Sequence, residues 1–224
     1  MATFTLVHGA WHGGWAWDRL RPELEARGHT VATPDLPCED VDAGVEEYAR
    51  VVPPADVVVG HSLGGLTIPL VPAHLYVFLC ALVPGAGLDG TFVPGFGDAR
   101  ARDELGRSYY PDPADGAREL QYPPEAFPLA RKLRRQAAKP TGAARDGVVP
   151  TGACAYVVCT RDEAIRPDWQ RRVAREQLGV EPLELDAGHS PMLTHPGELA
   201  ALLDLATREA GLAEAPATQD PRIP

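Results

Sequence analysis

The residues of this 224-residue chain whose types could do chemistry together are Ser62, Asp162 and His189. Ser62 stands in Gly60-His61-Ser62-Leu63-Gly64, a G-x-S-x-G run. A serine hydroxyl is almost wholly protonated at neutral pH, so it attacks a carbonyl only if an imidazole takes its proton as the bond forms. His189, in Asp186-Ala187-Gly188-His189-Ser190, is the candidate base. Such a base needs a carboxylate behind it, to hold one tautomer and to stabilise the imidazolium. Asp162 fits best, with Glu163, Asp168 and Asp186 as competitors; Asp186 is expected to brace its own loop. A tetrahedral intermediate further needs two donors for its oxyanion, each worth about 3 kcal/mol. The backbone N–H of Leu63, at the head of a helix, and that of Ala10, in His8-Gly9-Ala10-Trp11-His12-Gly13-Gly14, are the candidates.

These residues must be delivered by the ends of regular elements. Val57-Val58-Val59 reads as a buried strand that breaks into a strained strand-to-helix turn, in which Gly60 and Gly64 avoid clashes that a Cβ would cause. Residues 3–7 form a first strand ahead of the Gly-rich loop, residues 29–33 a second, and residues 75–83, 153–160 and 182–185 the rest. Helices are expected between them, over residues 18–28 with Asp18 as cap, around Val45 to Val52, over 63–71, around Trp169 to Leu178, and from Pro196. Strand and helix alternating in this way predict an α/β fold, a mostly parallel sheet with helices on both faces. Ligands in such sheets bind outside the carboxyl ends of the strands, where Ser62, Asp162 and His189 all fall.

Residues 85–150 break the pattern, with frequent Pro and Gly and no strand signal. They read as a short inserted cap within a single domain of residues 1–210, followed by a flexible tail at 211–224. A cap helix is expected over residues 125–138. Its Arg131, Lys132, Arg134 and Arg135 form either a solvated face or a border of the pocket mouth that favours anionic substrates. The net charge of −10 argues against nucleic acid or an anionic membrane as partner, and no apolar run is long enough to span a bilayer. A cytoplasmic location is the expectation, and the four cysteines, without metal-site spacing, read as reduced and buried. No dinucleotide fingerprint or metal-spaced cluster is present, so no cofactor is implied. A small-molecule ester is the expected partner, and a homodimer is among the assemblies the sequence allows. Gly9, Trp11 and His61 are the candidate substrate-binding residues. His8 and His12 read as hydrogen-bonded scaffolding, Trp15 and Trp17 as core beneath the loop, and Asp35 as an acceptor for backbone donors near it.

Four segments carry a resemblance: Leu6 to Trp17, Gly60 to Leu66, Cys159 to Gln170 and Gly188 to Leu193. Together they resemble the α/β-hydrolase branch that contains plant methyl esterases and hydroxynitrile lyases, over nearly all of residues 3–207. The resemblance implies the α/β-hydrolase fold with a short cap, Ser62, Asp162 and His189 as nucleophile, acid and base, and Ala10 and Leu63 as oxyanion donors. The lyases of that branch carry a threonine after the first-strand histidine and a lysine after the catalytic histidine. This chain has Gly9 and Ser190 there. Without the ammonium to stabilise a departing cyanide, and with Gly9 expected to leave room for an alkoxy group, the resemblance implies cleavage of a small or methyl ester of a hydrophobic or aromatic acid. Thioester or lactone hydrolysis, and a lyase or cyclase using the triad as a proton shuttle, are the alternatives. The segments from Pro34 to Asp56 and from Ser62 to the next strand are short for the fold.

Overall fold

A computed structural model describes residues 1–213. The chain runs β1 (Thr3–Val7), α1 (Leu20–Glu25), β2 (Thr30–Ala32), α2 (Val45–Val51), β3 (Ala55–His61), β4 (Ala73–Leu79), β5 (Ala101–Arg102), β6 (Ser108–Tyr109), α3 (Pro113–Glu119), α4 (Ala143–Asp146), β7 (Ala153–Cys159), α5 (Pro167–Glu176), β8 (Leu183–Leu185), α6 (Pro191–Thr194) and α7 (Pro196–Glu209). Six strands form one parallel sheet in the order β2-β1-β3-β4-β7-β8. The expected fold class is the one observed. From β1 the chain moves to one side for β2, then returns past β1 to lay down β3 on the other. Right-handed crossovers therefore put helices on opposite faces, and the loops after β1 and β3 diverge at the switch point between them. The buried ends of β3 and β4 pack Val57, Val59, Val77 and Phe78 into the core, each fully enclosed, at roughly 1.5–3 kcal/mol per such side chain.

Three local expectations fail, and proline explains two of them. Residues 63–71 are not an α-helix but two 3₁₀ turns, Ser62–Leu66 and Ile68–Leu70. Pro69 lacks an N–H and would crowd the carbonyl four residues back. Residues 125–138 likewise form a 3₁₀ stretch, Pro124–Lys132 with Pro128 inside it, and then run extended. The segment expected to hold no strand contains the antiparallel pair β5–β6, and Gln136 adds a bridge to Ser108 through reciprocal backbone bonds of 2.9 Å. Two terminus readings also shift. Asp18 closes the 3₁₀ turn Gly14–Trp17 instead of capping α1, and β4 stops at Leu79 because Cys80 takes φ 35°. Of the tail expected at 211–224, residues 214–224 lie outside the described residues. Among the described residues no helix is long and apolar enough to cross a membrane.

Candidate active site

Ser62 leaves β3 at φ 51°, a left-handed backbone that a serine adopts only when its surroundings enforce it. The glycines around it show what enforces it. A Cβ on Gly64 would lie 2.7 Å from the Val7 carbonyl oxygen and 2.8 Å from that of His8, and one on Gly60 would lie 2.9 Å from the Gly64 backbone. The turn is thus pressed against the end of β1, so that the β1 loop and the serine share one small space.

Into that space β7 and β8 send the other two residues. His189 Nε2 lies 3.1 Å from Ser62 Oγ, and its Nδ1 lies 2.9 Å from Asp162 Oδ2. His189 and Asp162 are both almost wholly buried. The Asp162 carboxylate is surrounded by donors: Oδ1 accepts from the N–H groups of Ala164 (2.8 Å) and Ile165 (2.9 Å), and Oδ2 from Gln170 Nε2 (2.8 Å). Its three competitors are turned elsewhere. Asp186 is exposed and pairs with Arg161 at 2.8 Å, Asp168 pairs with Arg166, and Glu163 is exposed.

Ala10 and Leu63 both line a cavity of about 290 Å³ that opens onto Ser62. Neither of their N–H groups finds an acceptor among the described residues, since Leu63 sits in the first turn of its 3₁₀ segment and Ala10 lies in a loop. The cavity volume is at the small end for ligand sites, and Trp11, Leu82, Phe92 and Phe96 give it an apolar wall. Trp11 is therefore placed where the sequence suggested. It is held at φ 63°, with its indole N–H on Ser108 Oγ (3.0 Å) and its carbonyl accepting the Arg134 N–H (2.7 Å), so the inserted segment pins the loop after β1.

Gly9 and His61 are corrected. Neither lines the cavity. A Cβ on Gly9 would stand 2.8 Å from His61 Nδ1 and 2.9 Å from Ser62 Cβ, so glycine there permits close packing and opens no room for an alkoxy group. His61 is buried behind the base, donating from Nε2 to the His189 carbonyl at 2.8 Å. Gly9→Ala is accordingly expected to displace Ser62, lowering kcat on p-nitrophenyl acetate by about 100-fold and stability by roughly 1–3 kcal/mol. Wild-type kcat and melting temperature in that variant would show that the loop yields freely.

Burial also fixes the charge state of the histidine scaffold. Desolvation lowers His8 to about 4 and His12 to about 3, and holds His61 well below its ordinary value. His8 donates to the Gly9 carbonyl and accepts from the Leu36 N–H; His12 donates to the Ala10 carbonyl and meets the Tyr122 hydroxyl at 2.7 Å. Each folded value lies below the unfolded one, near 6.5, so the stabilisation is complete above that pH. It is lost as pH falls towards 4 for His8 and 3 for His12, at about 1.4 kcal/mol per unit and histidine. Urea midpoints measured from pH 7 down to 5 should fall steadily, and His12→Gln should flatten the slope; an unchanged slope would contradict the assignment.

Two positioning residues, Gln170 and Gln121, are not among the candidates that the sequence offers. Gln170, on the buried face of α5, spans the acid loop: its Oε1 accepts the Cys159 N–H (3.1 Å) while Nε2 reaches Asp162 and the Ile165 carbonyl. A glutamine between Trp169 and Val173 on an apolar face was its available signal. Gln121, from the inserted segment, accepts the N–H groups of Glu163 (2.9 Å) and His189 (2.8 Å) through one oxygen. Nothing in its local sequence announces that. Asp35 accepts the Gly14 N–H at 2.8 Å, Trp17 is fully buried and Trp15 partly so. The cluster Arg131 to Arg135 does not line the cavity: Arg134 faces Asp35 and Glu39, and Arg135 pairs with Asp103.

His61, Cys80 and His189 offer ligand atoms within 4.8 Å of one another, but they do not suit a cation. His61 Nε2 and Cys80 Sγ both donate to the His189 carbonyl, both His189 ring nitrogens are engaged, and burial pushes the Cys80 thiol well above its ordinary pKa.

A sequence model described as the alpha/beta hydrolase family matches residues 6–202. Salicylic acid-binding protein 2 of Nicotiana tabacum is 31% identical, the match covering 91% of this chain and 96% of that protein. Methylesterase 3 of Arabidopsis thaliana is 29% identical over 88% of this chain and 93% of its own. Among solved structures, a pyrethroid hydrolase from Sphingobium faniae superposes with a TM-score of 0.73 at 25% identity, covering 93% of this chain and 98% of the other.

Proposed function

Given that the chain belongs to the α/β-hydrolase family, we propose that it is a serine esterase that cleaves a small carboxylic ester, a methyl ester among them, through an acyl-Ser62 intermediate. The observation that carries this reading is the unbroken chain Ser62 Oγ, His189 and Asp162, at 3.1 and 2.9 Å, beside two backbone N–H groups without acceptors. Ser62 Oγ attacks the ester carbonyl as His189 Nε2 takes its proton. Asp162 holds the Nδ1 proton and stabilises the imidazolium. The oxyanion is received by the Ala10 and Leu63 N–H groups, in a turn too short to add a helix dipole. Collapse expels the alcohol, which takes the proton back from Nε2. Water, deprotonated by the same nitrogen, then releases the acid.

The apolar, aromatic wall supports a hydrophobic or aromatic acyl group, and the names of the methylesterase and pyrethroid hydrolase relatives support an ester bond. Residues 85–150 act as the cap that shapes this wall. Ser190 supports hydrolysis over lyase chemistry: it is fully buried, its hydroxyl donates to the Leu120 carbonyl at 2.5 Å, and it brings no cation to the cavity. A fluorophosphonate should add one phosphonyl group to the peptide containing Ser62 and abolish hydrolysis of p-nitrophenyl acetate, while Ser62→Ala takes no label. Hydrolysis that survives full labelling of Ser62 would end this reading.

A further inference from the structure

We propose that the ester bound here carries a second, anionic group, a free carboxylate on its acyl part, which Arg100 receives with Arg102 at the rim. The proposal rests on the esterase reading and names its substrate class: monoesters of dicarboxylic acids.

The charge of the cavity wall is the first observation. The chain has 31 acidic and 21 basic residues, yet among the described residues lining the cavity the charged ones are Arg100 and Arg102, with no carboxylate. Among the described residues neither arginine has a carboxylate within 4.0 Å. Arg107, Arg118, Arg134, Arg135 and Arg145 of the same inserted segment each pair with one. Glu119, on the same loop system, spends its oxygens on the Gly97 and Ala99 N–H groups and the Tyr110 hydroxyl.

The second observation is that Arg100 is already ordered for binding. Its guanidinium lies 4.8 Å from the Trp11 ring centroid and 4.9 Å from that of Phe96. Nε donates to the Gly97 carbonyl (3.2 Å) and Nη2 to that of Phe96 (3.3 Å), which leaves Nη1 without an acceptor among the described residues. Gly97, at φ 96°, makes the fold-back possible, since a Cβ there would overlap Nη2 at 1.4 Å. A side chain whose rotamer freedom is spent before the ligand arrives binds without that cost, and a guanidinium suits a planar carboxylate. Trp11, the ring over which the cation rests, directly follows Ala10, so that ring and the candidate oxyanion donor belong to one loop.

The test compares kcat/KM for monomethyl glutarate, adipate and pimelate with that for methyl esters of neutral acids of matched length, at low ionic strength. Wild type should prefer at least one of the monoanions by about tenfold to a hundredfold, the range a charge-assisted hydrogen bond supplies. Arg100→Gln should bring the ratio near unity, Arg100→Lys should restore part of it, and added salt should erode it in wild type. A packing role would lower both substrates alike and leave the ratio untouched, and that result would overturn the proposal. So would a wild type that prefers neutral esters. Should no ester be turned over, the esterase reading fails on its own; calorimetric titration with adipate then decides the site, binding to wild type and not to Arg100→Gln being expected and equal binding refuting it.

Discussion

Ser62→Ala is expected to lower kcat for ester hydrolysis by about a millionfold, with KM little changed. The residual rate should come from the proposed oxyanion donors of Ala10 and Leu63 and from binding, which the substitution leaves in place. In the proposed mechanism Ser62 Oγ and His189 Nε2, 3.1 Å apart, act as one unit, so removing both should cost hardly more than removing either. Stopped-flow measurement of the alcohol burst gives a second reading: wild type should show one, and Ser62→Ala none. Additive losses in the double variant Ser62→Ala/His189→Ala would mean that the imidazole acts on water directly, without an acyl-enzyme.

Asp162→Asn should cost about 10⁴ in kcat, for a reason specific to this carboxylate. Every protein group aimed at it is a donor: the Ala164 and Ile165 N–H groups on Oδ1, and Gln170 Nε2 and His189 Nδ1 on Oδ2. An asparagine must turn its NH₂ towards one side. Facing the two backbone N–H groups would set it against two donors that cannot change, whereas on the other side only Gln170 Nε2 is a fixed donor and His189 can switch tautomer, so the NH₂ faces His189. His189 then accepts at Nδ1 and carries its proton on Nε2, where it can no longer receive one from Ser62. The loss should therefore appear in kcat, with fold stability reduced far less than activity, and it should ease at high pH as the serine ionises without help. Asp162→Asn with wild-type kcat would remove Asp162 from the mechanism in favour of one of its exposed competitors.

What the sequence made legible follows from how local each cause is. The elbow is a steric matter of a few residues, so Gly60, Ser62 and Gly64 announced it. Asp162 and His189 were legible because strand ends are marked by a change from apolar runs to turn residues. The sheet followed from alternation. The prolines at 69 and 128 stand in plain view, yet the apolar spacing around them predicts α-helix where the chain forms 3₁₀ stretches. Gly9 is ambiguous in sequence because glycine allows either space or close approach, and only the position of His61 decides between them. Gln121, Arg100 and the β5–β6 pair depend on how residues 85–150 fold back over the sheet, which no short-range pattern encodes. The basic cluster at 131–135 is prominent by composition, whereas Arg100 and Arg102 are set among acidic residues, between Asp98 and Asp103, and make no basic run.

The single amide oxygen of Gln121 holds the Glu163 and His189 N–H groups at once. The inserted segment that shapes the pocket is thereby a fastening for the acid and base loops as well. Exchanging that segment with one from a relative, to graft a new acyl preference onto this scaffold, would unlock both loops unless an equivalent carboxamide arrives with it. A change of acyl preference is for the same reason better sought in wall residues such as Phe92, Phe96 and Arg100, with the stretch around Gln121 left in place.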